Sequence, residues 1–309
     1  MYTREVDTAI ERGLAFLQSR QLPDGSFATT KWGQSAAVCS LAGISFLGRG
    51  VRPGIGQLGT TLDRIGQYVL ACCQDSGFVC NDDAKSHGDM YEHGFSTLFI
   101  AELYGTGIAT GIGTKLRQAV DLIIRSQNSQ GGWRYKPMPA DADISVTVCQ
   151  AMALRAARNA GIAVPSETID RLVAYLRRSQ NADGGFMYQL TGGESRFPLT
   201  AAASVALHNA GIARGNEIEE AIQYLIKNYA ACRSPESNYF YYAHYYSAQT
   251  FRHFGGDQWP SWYNRLRDII LTRQQPDGGW FDHSSTEYGT AMACIILNMP
   301  RTVLPIFQS

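Results

Sequence analysis

The chain has 309 residues, 45% of them hydrophobic and 17% charged, and its 27 basic side chains are balanced by 27 acidic ones. A formal net charge of zero gives no bulk electrostatic drive toward nucleic acid or an anionic membrane surface. The apolar content suffices for a large core, and no run of about 18 apolar residues reads as a membrane span.

In chain order, Met1 to Asp7 leads directly into an amphipathic helix and lacks a signal-peptide apolar core, so the expected location is cytoplasmic. The seven cysteines form no CxxC pair, and Cys39, Cys149 and Cys294 fall at apolar helix positions, which reads as reduced thiols. An apolar helical run, a Gln, a short polar turn, Gly and an aromatic then recur along the chain. The copies are Leu17 to Phe27, Gln127 to Trp133, Arg178 to Phe186 and Arg273 to Trp280, with a weaker one from Cys73 to Phe78. Their aligned aromatics are Phe27, Phe78, Trp133, Phe186 and Trp280. The long interval before Trp280 holds a degenerate copy without glycines, Ser237-Asn238-Tyr239-Phe240. Six units of roughly 40 to 55 residues therefore tile a single domain over 1–309, at about 3–50, 51–107, 108–162, 163–212, 213–256 and 257–300.

Each unit reads as helix, glycine turn, helix. In the third, Val120, Ile123 and Ile124 mark one apolar face before the turn, while Ile144 to Ala157 is apolar on nearly every side. A helix apolar all round is a buried one. The same contrast returns at Ser35–Phe46, Thr200–Ala210 and Thr290–Leu297. Six amphipathic helices outside and six apolar ones inside predict an all-α (α/α)6 toroid. Gly111-Ile112-Gly113 and Pro53-Gly54 follow no strand and read as turns between units, not as phosphate cradles. The Gln and Gly of the repeats read as structural, tying the end of each outer helix to the next turn.

Polar residues preceding the inner helices are expected to gather at one mouth: Trp32, Glu92, His93, Asp141, Asp143, Arg196, Tyr242, His244, His283 and Glu287. Tyr135, Tyr188, Tyr241, Trp133 and Trp280 would line the same space. An aromatic cavity with a few convergent polar groups is the usual composition of a small-molecule site. Within it the pair Asp141-Ala142-Asp143 occurs once and has two readings. Asp143 is a good helix N-cap. It is also a candidate acid, since burial and a neighbouring carboxylate would both keep its proton on. A nearby histidine could orient it, with His244 and His93 as candidates. A metal site at these histidines lacks diagnostic spacing, so no metal or cofactor is expected. The run Tyr239 to Tyr246 suits either a cavity wall or packing in place of the missing turn.

The Gln–Gly–aromatic repeats resemble those of the squalene-hopene cyclase, oxidosqualene cyclase and protein prenyltransferase β-subunit superfamily, over essentially the whole chain. The resemblance implies an α/α toroid and an isoprenoid or other apolar ligand. Cyclases of that superfamily that start by protonating an alkene carry Asp-x-Asp-Asp, or a shortened Asp-Cys-Thr, just before an inner helix. Asp141-Ala142-Asp143-Ile144-Ser145 occupies that place, with Asp143 matching the proton donor, Asp141 the first aspartate, and Ile144 departing from the last. Protein prenyltransferases instead bind zinc through ligands shortly after a Gly-Gly-Phe turn, where this chain has Thr200-Ala201-Ala202-Ala203. The expected function is thus a proton-initiated terpenoid cyclase-like enzyme, with aromatics such as Tyr135, Tyr188, Phe240, Tyr241 and Trp280 facing the carbocation. The rivals are a non-catalytic isoprenoid-, lipid- or partner-binding toroid, a prenyltransferase-like subunit without the zinc site, and a carbohydrate-active (α/α)6 enzyme using Glu92 or Glu287 opposite the aspartates. Because the related cyclases place their cavity between two helical barrels, a homodimer, a second helical subunit or a membrane surface are the expected means of completing it.

Overall fold

The computed structural model describes residues 1–27, 32, 34–81, 88–106, 111–232 and 239–308. Among them the chain forms helices α1 (Arg4–Arg20), α2 (Ala36–Gly48), α3 (Gly56–Ala71), α4 (Asp89–Tyr104), α5 (Ile112–Ser126) and α6 (Ile144–Asn159). These are followed by α7 (Ser166–Arg178), α8 (Phe197–Asn209), α9 (Asn216–Lys227), α10 (Phe240–Phe254), α11 (Trp259–Leu271) and α12 (Thr286–Asn298).

The even-numbered helices each pack on the next, and α12 returns to α2, so they form a closed inner ring. The odd-numbered helices lie outside it, α3 against α2, α5 against α4, α9 against α8, and α1 against α12. Burial follows the layer. All residues of α2 are buried, whereas α7 buries only Thr168, Leu172, Tyr175 and Leu176, one stripe at helical spacing. The architecture is the (α/α)6 toroid that the repeats predict.

The repeat turns are the joints of the ring. Gln127 Nε2 donates to Gly131 O within its own turn and to Thr168 O on the next outer helix, both at 2.9 Å. Gln21 does the same to Gly25 O and Thr61 O, Gln180 to Gly184 O and Glu217 O, and Gln274 to Gly278 O and Ala9 O. The glycine is required by the same joint. Gly131 has φ +95°, and a Cβ there would stand 2.2 Å from Arg171 O on α7. A second clasp runs inward: Trp133 N donates to Thr147 Oγ1 at 3.1 Å, Phe186 N to Thr200 Oγ1 at 3.0 Å, and Trp280 N to Thr290 Oγ1 at 2.9 Å.

These joints correct one alignment. The bridges Gln21 to Phe27, Gln180 to Phe186 and Cys73 to Val79 are equivalent, so the second copy presents buried Val79, not the half-buried Phe78, in the aromatic's place. Ser237 and Asn238 of the degenerate copy lie outside the described residues.

The N-terminal ends of the inner helices open on the cavity described below. The tail packs against the ring too: the turn Pro305–Phe307 rests on α6, Arg252 Nε donates to Phe307 O at 2.8 Å, and Phe307 meets Tyr245 edge-on. Cys39, Cys72, Cys73, Cys80, Cys149 and Cys294 are free thiols, and no described helix is long and apolar enough to cross a membrane.

Candidate active site

A cavity of about 600 Å³ opens among the N-terminal ends of the inner helices. Its wall is mainly aromatic, with Trp32, Tyr91, Phe95, Tyr135, Tyr188, Tyr239, Tyr242 and Tyr288, and its polar groups include Ser35, Glu92, Ser145, Arg196, Asp282 and His283. The volume is that of a small-molecule site. Tyr242 contributes a buried hydroxyl that makes no hydrogen bond to the protein.

Asp143 stands immediately behind this wall. It is the N-cap of α6, with its side chain fully buried. Oδ1 accepts the Val146 amide at 2.9 Å and the Ser145 hydroxyl at 2.6 Å, and Ser145 in turn accepts the Tyr91 hydroxyl at 2.7 Å. Ser145 and Tyr91 both face the cavity, so one chain of hydroxyls joins it to the carboxyl. Oδ2 has no hydrogen-bond partner; Arg134 Nε is 3.7 Å away. Burial raises the Asp143 carboxyl above the usual carboxylate range, and the Ser145 hydroxyl, the Val146 amide and the Arg134 guanidinium pull it partly back.

Asp141 is placed differently from the expectation. Its side chain is half exposed, bonded to Gln189 Nε2 at 2.8 Å and ion-paired with Arg134 Nη1 at 3.2 Å. The guanidinium therefore lies between the two carboxyls, and Asp141 does not figure among the causes of Asp143's shift. Arg134 itself lies near the faces of Tyr135 and Tyr188, at 5.0 and 5.7 Å from the ring centres, and the two tyrosine hydroxyls bond to each other.

The sequence pattern of the family described as "Prenyltransferase alpha-alpha toroid domain" matches residues 7–114 and 113–236. The chain belongs to this family. No curated protein matches the sequence of this prenyltransferase-type toroid. Among solved structures it is similar to the type II terpene cyclase MstE from Scytonema, with a TM-score of 0.64, 13% identity, and coverage of 96% of this chain and 99% of that one. It is also similar to a D-mannose isomerase, with a TM-score of 0.68, 12% identity, and coverage of 97% and 100%. A GH76 α-mannanase from Bacteroides thetaiotaomicron superposes at 0.65, with 9% identity and 96% coverage of both chains. At such identities these likenesses establish the toroid alone.

Several residues expected at the mouth of this prenyltransferase-type toroid lie elsewhere. Trp133 and Trp280 are fully buried, each with its indole N–H donating at 2.8 Å to an outer-helix carbonyl, Ile123 O and Ile270 O. His93 accepts the Val79 amide on Nδ1 at 3.1 Å and bonds Ala119 O through Nε2. It occupies the clasp position that Thr147 and Thr200 hold in other units, and burial lowers it to about 4. His244 is packed in α10 among Phe197, Tyr229 and Phe240. Tyr241 packs edge-on against Phe240, and Glu287 pairs with Arg20. Neither His93, His244, Tyr241 nor Glu287 lines the cavity, whereas Tyr135, Tyr188, Tyr242, Glu92 and Arg196 do.

Tyr91, Ser145 and Tyr288 line the cavity and Arg134 stands beside Asp143, four residues for which the sequence alone suggests no role. Ser145 carried a signal, since a hydroxyl two residues past an N-cap aspartate can reach its carboxylate. Tyr91 and Tyr288 carried none, because which face of an all-apolar inner helix meets the cavity is not encoded in its periodicity.

Proposed function

We propose that this protein is a proton-initiated terpenoid cyclase-like enzyme acting on a polyprenyl chain, with Asp143 as the acid. The observation that carries the reading is the Asp143 carboxyl itself: fully buried, with Oδ1 held by two donors and Oδ2 unbonded, directly behind the wall of an aromatic cavity. Protonating a carbon–carbon double bond needs a protonated carboxyl kept from water, and burial both raises this carboxyl and keeps it dry. The proton would leave Oδ2 for the terminal alkene, and the cation so formed would meet the ring faces of Tyr91, Tyr135 and Tyr188, each worth about 0.5–2 kcal/mol. We also infer that a second copy of the chain, a further helical subunit or a membrane surface completes the mouth of the cavity. The type II terpene cyclase MstE, which has the same fold and takes geranylgeranyl dihydroxybenzoate as substrate, lends support to the substrate class.

A non-catalytic binding toroid is the second reading. It is favoured by Arg134, which stands within ion-pair range of both aspartates and works toward keeping Asp143 ionised. Incubation with squalene and a series of prenyl diphosphates, read by gas chromatography–mass spectrometry beside Asp143→Asn, separates the two. A cyclised product of unchanged mass that vanishes in the variant is expected. Absence of product from every chain, with both proteins still binding it alike, would transfer the case to the binding reading.

A further inference from the structure

A second group of ionisable side chains gathers at the opposite end of the ring from the cavity, where the inner helices finish. Arg155 lies in the last part of α6, and His208 and His253 are the penultimate residues of α8 and α10. Because α8 packs on both α6 and α10, three consecutive inner helices contribute. Arg155 and His208 also share one repeat position, each eight residues beyond the clasp hydroxyls of Thr147 and Thr200. The second and sixth units carry Ala101 and Asn298 in that position, so the ring itself does not require a base there. The two imidazoles stack with ring centres 3.7 Å apart and planes 16° from parallel, and Phe254 stands edge-on to His208 at 5.5 Å. All three basic side chains are half-buried.

A base near a helix C-terminus ordinarily serves the last carbonyls. Here backbone amides already take them: Ala210 N bonds Ala206 O, Gly211 N bonds His208 O and Gly255 N bonds Phe251 O, each at 2.9 Å. Among the described residues, neither imidazole nor the Arg155 guanidinium makes a hydrogen bond or an ion pair, and His253 Nδ1 is shut off from solvent without a partner. The charges that act on the imidazoles are Arg155 at His208, and His208, Arg252 and Arg155 at His253. None is a carboxylate, and Glu102, the buried carboxyl of α4 beside the tail, acts on neither ring. Arg252 is engaged elsewhere, donating to Met299 O and Phe307 O. Converging bases with unused donors and no counter-charge are complementary to an anion. Each imidazole offers an N–H and the guanidinium a fork of them, which suits an ion with several acceptor oxygens. We propose that this end of the toroid binds a tetrahedral oxyanion, a phosphate group, through Arg155, His208 and His253. The bound charge favours protonation of both rings, so binding takes up protons and strengthens as pH falls. The site is separate from the cavity and does not depend on the cyclase reading.

Calorimetric titration of the full chain with sulfate tests this, in chloride buffers of constant ionic strength. Sulfate keeps its charge between pH 8 and pH 5.5, so any change of affinity over that range belongs to the protein. It is expected to bind about 10-fold or more tightly at pH 5.5 than at pH 8. Arg155→Gln should weaken binding about 10-fold at both pH values. His253→Phe keeps a flat ring against His208 and should flatten the pH dependence. Heats no different from those of added chloride would overturn the proposal. So would an affinity that ignores pH, or one that Arg155→Gln leaves unchanged. The half-buried Arg155 and the wild-type comparison decide the matter even if His253→Phe does not fold. Inorganic phosphate and methyl phosphate, titrated at pH 8, then separate the two sources of the same group. Tighter binding of methyl phosphate assigns the site to a phosphate ester, tighter binding of inorganic phosphate assigns it to the free ion, and binding of neither removes phosphate as the ligand.

Discussion

The side-chain amide of Gln274 donates to the carbonyl of Ala9 at 2.8 Å, joining the last glycine turn to the first helix. It is the same joint that Gln127 makes to Thr168 between neighbouring units, used here to close the ring. Beside it, Arg12 reaches Gln275 O and Pro276 O.

Gln274→Ala should therefore open the ring at its seam. Two backbone carbonyls lose their donor, a cost of about 1–2 kcal/mol. Thermal unfolding should fall by a few degrees, and α1 should become the first site of limited proteolysis. Gln127→Ala, with its amide buried, should cost at least as much without exposing α1.

Glycine replacements separate backbone strain from collision. Gly161 has φ +82° with open space at its Cβ, so Gly161→Ala should cost about 1 kcal/mol. Gly131 has a similar φ, but its Cβ would meet Arg171 O at 2.2 Å. Gly131→Ala should cost on the order of 3 kcal/mol, by denaturant titration of both variants. Equal costs would mean that the turn does not seat on α7 as described.

Ser145→Ala removes a hydrogen bond that favours the Asp143 carboxylate, so the carboxyl should rise further. If Asp143 supplies the proton, the activity of the variant should persist to higher pH than that of the wild type. A profile that moves to lower pH would contradict the role.

Stability should decline in acid through histidines away from the cavity. His208 and His253 stack with ring centres 3.7 Å apart; burial, helped by Arg155, lowers His208 to about 4, and burial, helped by His208, Arg252 and Arg155, lowers His253 to about 3. His93 is lowered by burial to about 4. The unfolded chain takes up these protons first, so the stability they contribute is present above about 6.5 and is lost as pH falls through 4. His253→Phe should flatten the melting-temperature slope between pH 7 and 4.

Glu102 acts with the opposite sign. Burial pushes it up to about 7, against a bond from the Ile306 backbone in the tail. The folded chain holds this proton longer, so the stability it contributes is present below about 4.5 and lost as pH rises through 7. Glu102→Gln should raise the melting temperature at pH 8 relative to pH 5, and tail cleavage at pH 8 should slow.

Much of this architecture is legible in the residues alone. The Gln–Gly–aromatic repeat and the alternation of one-sided and all-round apolar helices determine an α/α toroid, because both are local: a turn that needs a glycine and a helix that must bury one face or all of them. The Asp143 cap is local too. What the tertiary structure decided is everything that depends on which face of an inner helix meets the cavity. Periodicity cannot rank the faces of a helix that is buried all round, so Tyr91 and Tyr288 went unassigned while Trp133, Trp280 and Tyr241 were expected where they are not. Register decided the rest. A shift of one residue at Val79 turns His93 into the second unit's clasp, and only packing sets Arg134 between Asp141 and Asp143. Charge separation of that kind depends on distances between side chains, and the order of residues along a chain does not contain them.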